Sequence, residues 1–118
     1  MKRYKPKYKE SSNIQIANTI LAQLGGNKFI AMTGSTNFLA IPNGISMHLK
    51  KNRSGAKYLN ITLNGKDLYD MEFSKITIKK IGAFIRDEKL VTVKTIKDVF
   101  NDQLQEIFQS VTGFRTQL

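Results

Sequence analysis

Apolar residues recur at helical spacing near the start of the chain. One helix face would carry Ile14, Ala17, Ile20, Leu21 and Leu24. Ser12 and Gln15 stand at the spacing of a capping box, so a helix is predicted over about 13–24. Gly25 and Gly26 predict its end, because glycine readily takes the left-handed conformation found at helix C-termini.

From Lys28 to Lys94 the apolar positions alternate with polar ones, and turn residues separate the runs. A period of two is typical of antiparallel strands. The runs predict strands near 28–33, 37–41, 45–50, 57–63, 68–73, 74–80 and 90–94. Residues 81–89 show no clean period, which indicates a loop or a bulged strand.

Side-chain parity predicts the register of the first hairpin. A three-residue loop at 42–44 would pair Ile41 with Ile45. The apolar face would then hold Leu39, Met47 and Leu49. Phe38 and His48 would lie together on the opposite face, because successive side chains of a strand alternate between its two faces.

The second hairpin is predicted to have an odd loop length. A two-residue turn would set Leu59 opposite Asp70 and mix apolar with charged side chains. A loop of three or five residues, with Gly65 at positive φ, would instead place the apolar side chains on one face of the hairpin and the polar ones on the other. The apolar face would hold Leu59, Ile61, Leu63, Tyr69, Met71 and Phe73, and the outer face Tyr58, Asn60, Thr62, Leu68, Asp70 and Glu72.

The pattern returns to helical spacing near the end. Thr95 and Asp98 predict a helix start, and Gly113 predicts the end. The apolar stripe would be Ile96, Phe100, Leu104, Ile107 and Val111. An α+β fold is therefore expected, with an N-terminal helix, a C-terminal helix and a strongly twisted antiparallel sheet of six to seven strands or a small barrel between them.

The first ten residues are expected to form a flexible basic arm. They combine five cations with Pro6 and hold no aliphatic side chain beyond Met1. Residues 11–118 are expected to form a single domain, because a chain of 118 residues can bury a core without a metal or disulfide.

Composition narrows the classes of function. The chain has no cysteine, which excludes zinc fingers, thiol chemistry and disulfide scaffolds and favours a cytoplasmic protein. No apolar run is long enough for a membrane span, so no membrane partner is expected. The 19 Lys and Arg outnumber the 9 Asp and Glu, for a formal net charge of +10. The excess sits in three blocks, at 1–10, 50–57 and 75–97, so a polyanion is the expected partner.

These blocks and the aromatic residues near them define a candidate nucleic-acid site. The arm offers Lys2, Arg3, Tyr4, Lys5, Lys7, Tyr8 and Lys9, the sheet offers Phe38, His48 and Tyr58, and the turns and strands offer Lys50, Lys51, Arg53, Lys57, Lys79 and Lys80. Cations pair with phosphates and rings stack on unpaired bases. The arm could equally be a solubilising terminus, Phe38 a second core residue under a helix, and His48 an ordinary surface histidine.

Catalytic constellations are not found in the sequence. One histidine without a cysteine makes no zinc site, so no metal or cofactor is expected. Asp70 and Glu72 are interpreted as salt partners for lysines such as Lys75, and residues 33–36 as a hairpin turn. Asp98, Asp102 and Glu106 would form a solvated acidic stripe on the last helix, turned away from any nucleic acid. The protein is therefore not expected to be an enzyme.

Three segments resemble a widespread group of short proteins encoded by phages and other mobile elements. They are Leu24-Gly25-Gly26-Asn27-Lys28-Phe29-Ile30-Ala31-Met32-Thr33-Gly34, Ile61-Thr62-Leu63-Asn64-Gly65 with Asp67-Leu68-Tyr69-Asp70-Met71-Glu72-Phe73, and Thr112-Gly113-Phe114. The resemblance spans about residues 14 to 118. It implies a phage or mobile-element setting, hence the host cytoplasm, and it transfers no functional residue.

The function expected from these observations is non-catalytic binding of nucleic acid, with single-stranded DNA or RNA held by basic patches and sheet aromatics. The alternative is a phage-encoded inhibitor of a host nuclease or defence system that acts by protein–protein contact. The first helix carries no charged side chain over 13–24, which also favours a homodimer.

Overall fold

A computed structural model describes the backbone of residues 4–115 and the side chains from Ser12 to Arg115. The elements are α1 (Tyr4–Leu24), α2 (Gly26–Thr33), β1 (Thr36–Ile41), β2 (Gly44–His48), β3 (Tyr58–Leu63), β4 (Tyr69–Lys80), β5 (Arg86–Val99), a 3₁₀ turn (Asn101–Gln103) and α3 (Leu104–Thr112). The chain thus has the α+β fold that the pattern predicted.

The sheet is open and has five strands, in the order β1-β2-β3-β4-β5 with every neighbouring pair antiparallel. Six or seven strands, or a barrel, are not found among residues 4–115. Two predicted strands, 68–73 and 74–80, are the single strand β4. The predicted strand 28–33 is the helix α2, because Phe29 and Thr33 stand one turn apart and are both buried.

Helix α1 begins at Tyr4 and not near residue 13. Pro6 is compatible with this start, because the backbone N–H that proline lacks has no helical partner in a first turn. The predicted end is confirmed: α1 stops at Leu24, and Gly25 follows at φ 127°. The flexible arm over 1–10 and the domain boundary after it stay predictions, since those side chains lie outside the described residues.

The predicted register of the first hairpin is wrong. Ile41 pairs with Gly44, which leaves a two-residue loop with Asn43 at φ 59°. Proline followed by a residue at positive φ is typical of a type II turn. The shift by one residue inverts β1, so Leu39 is 62% exposed on the outer face.

The second hairpin confirms the parity argument. Leu59 pairs with Phe73 and Ile61 with Met71, and a five-residue loop joins Leu63 to Tyr69. The loop is not organised by Gly65, however. Its residue at positive φ is Asp67, at 60°.

The C-terminal helix begins later than predicted, at Leu104, although it ends at Gly113 as expected. Strand β5 continues to Val99, with Ile96 opposite Met71 and Val99 opposite Tyr69. A bulge with Asp98 at φ 58° lies between those pairs. Because of the bulge, Ile96 and Val99 face the core although they are three residues apart, a spacing that resembles that of a helix.

The core lies on one face of the sheet. The helices cover that face, and the largest buried side chains include Phe29, Phe73 and Phe108. The Phe29 and Phe108 rings meet edge to face, with centroids 4.9 Å apart.

Burial raises the pKa of the Tyr69 hydroxyl, and a hydrogen bond with Gln23 opposes that shift.

Strands β4 and β5 extend beyond the rest of the sheet. Strand β3 pairs with β4 only as far as Ser74, so residues 75–80 and 86–91 pair with each other alone. These residues and the turn 81–85 between them are called the ribbon. The radius of gyration is 15.8 Å, against about 13.5 Å expected for a compact chain of this length. Among the described residues, no helix is both long and apolar enough to cross a bilayer.

We expect Gly44→Ala to disrupt the first hairpin. A Cβ atom at Gly44 would lie 2.0 Å from the carbonyl oxygen of Ile61, and backbone atoms cannot move aside cheaply. The expected loss in the free energy of unfolding is about 3 kcal/mol, measured by urea denaturation. Gly65→Ala is the control: its Cβ would meet no atom within 4 Å, so the midpoint should stay close to that of the parent protein. Equal midpoints for the two variants would contradict this packing.

Candidate nucleic-acid interface

The loop between β2 and β3 brings its cations to the point where the ribbon leaves the sheet. The N–H of Leu49 donates to the carbonyl of Lys57 at 2.7 Å, and the N–H of Lys57 donates to the carbonyl of Ser74 at 2.8 Å. Lys75 comes directly after Ser74. We call Lys50, Lys51, Arg53, Lys57 and Lys75 the basic end of the molecule.

Asn52 holds this loop in shape. Its Nδ2 donates to the carbonyls of Lys50 and Ala56, both at 2.8 Å. Its Oδ1 accepts hydrogen bonds from the N–H and the hydroxyl of Ser54. The side-chain amide therefore uses both its donors and its acceptor on the loop, which fixes the backbone that carries the cations.

The four cations predicted in this loop do not play equal parts. The guanidinium of Arg53 donates to the carbonyl of Ser110 near the end of α3, where helix carbonyls lack helical partners. Arg53 therefore caps this helix end with one of its donors, and its predicted contact with phosphate stays a prediction. The stem of Lys50 lies over Gly34, where an added Cβ would be 2.6 Å from Lys50 Cδ.

All four cations of the loop are exposed, and two of them, Lys51 and Lys57, share a cleft. Both line a cleft of about 460 Å³ whose other walls include Leu49, Gly55 and Ala56. Their ammonium groups can meet phosphates with little loss of packing, because the side chains are exposed.

The predicted row of sheet aromatics is only partly correct. Phe38 is half-buried and packs against the core, because the two-residue hairpin loop turns it to the helix-covered face. His48 and Tyr58 do lie on the outer face, directly opposite each other. Their rings meet edge to face with centroids 4.7 Å apart, and Asn37 Nδ2 lies 3.1 Å from His48 Nδ1.

The ribbon adds cations beyond the two that were predicted. Lys79 and Lys80 are exposed on β4, as expected for a basic site. The register also places Lys75, Arg86, Lys89 and Lys94 along the same pair of strands. The basic block 75–97 was the signal for these four cations in the sequence. Their position on one pair of strands was not predicted, because segment 81–89 was not assigned to a strand.

Acidic side chains gather at the opposite end of the sheet. Asn64 Nδ2 donates to Asp70 at 3.0 Å and to Asp98 at 2.9 Å, and Lys66 pairs with Asp98 at 3.2 Å. Glu72, further along β4, accepts a hydrogen bond from Thr92 at 3.1 Å. Asp70 and Glu72 are therefore held by Asn64 and Thr92, which corrects their assignment to lysines such as Lys75.

The predicted acidic stripe on one helix is wrong, because its members belong to three elements. Asp98 lies in β5, Asp102 in the 3₁₀ turn and Glu106 in α3. Residues 33–36 are likewise not a hairpin turn. They end α2, with Gly34 at φ 68° and the Thr33 hydroxyl donating to the carbonyl of Phe29.

The predicted arm ligands cannot be placed against this site. The side chains of Lys2, Arg3, Tyr4, Lys5, Lys7, Tyr8 and Lys9 lie outside the described residues. Within the part of the chain whose side chains are described, no three His, Asp or Glu side chains are grouped to hold a metal ion.

We expect Asn52→Ala to destabilise the loop. The change leaves the carbonyl of Ala56 and the N–H of Ser54 without these partners, which costs about 2 kcal/mol of unfolding free energy. Denaturant unfolding measures this loss, and Asn27→Ala on the exposed side of α2 serves as the control. An Asn52→Ala protein as stable as the control would show that the loop needs no such support.

Comparison with known proteins identifies no relative of this chain. The chain matches no protein-family model, no curated protein and no solved structure.

Proposed function

We propose that this protein is a non-catalytic nucleic-acid-binding protein that contacts phosphates through its basic end and the ribbon. The observation that carries the proposal is the separation of charge along the sheet. Lys51, Lys57 and Lys75 lie at one end, whereas Asp70 and Asp98 lie at the other. Such a field orients a polyanion toward one end of the molecule.

The phosphate contacts fall to exposed ammonium groups. Lys51 and Lys57 are exposed at the cleft, and Lys79 and Lys80 are exposed on the ribbon. Each phosphate that a cation neutralises releases a counterion, so affinity falls as salt rises. The proposal therefore makes a quantitative claim about the salt dependence of binding.

The first test is a salt titration with short oligonucleotides, single- and double-stranded. For Lys51→Gln/Lys57→Gln we expect weaker binding to every sequence. The slope of log affinity against log salt should become shallower by about 1.4 for single strands and about 1.8 for duplex, since each lost contact removes ~0.7 or ~0.9. Fluorescence anisotropy measures both quantities.

The matched control removes the same charge from the other end. Lys66→Gln/Lys97→Gln should leave the slope unchanged, because Lys66 pairs with Asp98 and Lys97 lies next to it in β5. Equal effects of the two double variants would contradict a directed basic end. A parent protein with weak affinity that does not depend on oligonucleotide length would overturn the proposal in favour of an inhibitor acting by protein–protein contact.

The open face of the sheet offers a second, independent test. Tyr58 lies on that face with His48, between the basic end and the middle of the sheet. If unpaired bases stack there, Tyr58→Ala should weaken single-strand binding by about 10-fold or more, because a stacked base is worth ~1–3 kcal/mol. Duplex binding should change little. Leu39→Ala, exposed on the same face, is the control, and equal loss for both strand types would contradict stacking at Tyr58.

A further inference from the structure

The ribbon ends in an apolar tip that the protein leaves in solvent. Phe84 is 98% exposed, and Ile81 and Ile85 are each 63% exposed. The N–H of Ile81 donates to the carbonyl of Ile85 at 2.9 Å, which closes the turn and presents the three side chains together. Soluble proteins rarely expose adjacent large apolar side chains without a partner for them.

The body of the ribbon also lacks a neighbour. Residues 75–80 pair only with 86–91, and an isolated two-stranded hairpin is marginally stable in water. One ribbon face carries Ile76, Ile78 and Leu90, of which Ile78 and Leu90 are more than half exposed. A partner that covers both faces would stabilise the extended form.

Charge selects the class of partner. The tip is flanked by Lys79, Lys80 and Arg86, and Lys75 and Lys89 continue the positive charge toward the basic end. Asp87 and Glu88 lie among these five cations, with Glu88 3.6 Å from Arg86, so the ribbon is positive on balance. Two ribbons packed in parallel would bring the cations at their tips together, and two packed antiparallel would bring tip cations against Lys57 and Lys75. Asp87 and Glu88 offset only two of the five ribbon cations, so both arrangements bring net positive segments together and a second copy of this basic chain is disfavoured.

A polyanion can neutralise these cations. The distance over which they extend along the ribbon indicates which polyanion fits. The cations extend about 20 Å from the tip to the sheet, at ~3.3 Å per residue. A flat lipid surface would meet only the cations nearest the tip. A groove of B-form DNA follows the whole ribbon, because two-stranded β-ribbons bind in the major or the minor groove of a duplex. The deep, narrow major groove of A-form RNA does not admit side chains.

We infer that the ribbon binds a groove of duplex DNA and that Phe84 at its tip inserts between neighbouring base pairs and kinks the duplex. The inference rests on the proposed function and specifies its substrate. Phe and Ile are side chains that DNA-bending proteins use as wedges, and the bend brings more backbone into contact with protein. Lys79 and Lys80 then hold the phosphates beside the opened step.

The test measures bending separately from binding. A duplex of about 25 base pairs carries a donor and an acceptor fluorophore at its ends, and a centrally placed 2-aminopurine reports unstacking. The parent protein should raise both energy transfer and 2-aminopurine emission. Phe84→Ala should lose both signals and about tenfold in affinity, with an unchanged salt slope, because the cations remain. Phe100→Ala is the matched control, since Phe100 is exposed at the acidic end.

The outcomes separate this inference from the proposed function. Salt-dependent duplex binding with equal bending by Phe84→Ala and the parent protein overturns the wedge and leaves nucleic-acid binding intact. Absence of salt-dependent binding by the parent protein overturns the proposed function itself. Two further results overturn the wedge: Phe84-dependent binding to phosphatidylserine vesicles without DNA bending, or a Phe84-dependent dimer in light scattering.

Discussion

The pairing of β3 with β4 is the constraint on which the rest of the structure depends. It places Leu59 against Phe73 and Ile61 against Met71, so one face of the sheet is apolar and takes the helices. The other face is left to polar side chains and to the His48–Tyr58 pair. A shift of one residue would exchange the two faces along both strands.

The same pairing separates the charges. Because β3 is short and β4 is long, β4 leaves its neighbour at Ser74 and continues with β5 as the ribbon. The loop that carries Lys51 and Lys57 starts from that point, and the loop that carries Asp67 starts from the other end of β3. The two ends of β3 thus lead to the basic end and to the Asp70–Asp98 cluster, and the difference in strand length leaves the tip exposed.

The two ends of the sheet also depend on polar side chains that bond to the protein itself. Asn52 shapes the basic loop, and Arg53 joins that loop to the end of α3. Asn64 holds Asp70 and Asp98 together at the far end, where their charges would otherwise repel. Composition and charge summation overlook these polar side chains, because their role is defined by the hydrogen bonds they make in the fold.

The sequence by itself determined the α+β class, the ends of the first and last helices at Gly25 and Gly113, and the register of the second hairpin. These follow from local rules: glycine at a helix end and alternation of side chains. The basic blocks were also visible in it. The face that Phe38 occupies, the start of the last helix after Val99 and the helical state of 26–33 were decided only by the tertiary structure.

The physical reason is that these three features depend on contacts with other segments of the chain, which the local sequence pattern does not specify. A two-residue loop at Pro42 turns Phe38 inward, and a bulge at Asp98 gives strand residues a helix-like spacing. The ribbon could not be foreseen for the same reason. Segment 81–89 has no period of its own, and only the long pairing of β4 with β5 shows that its apolar residues form the tip of a two-stranded ribbon.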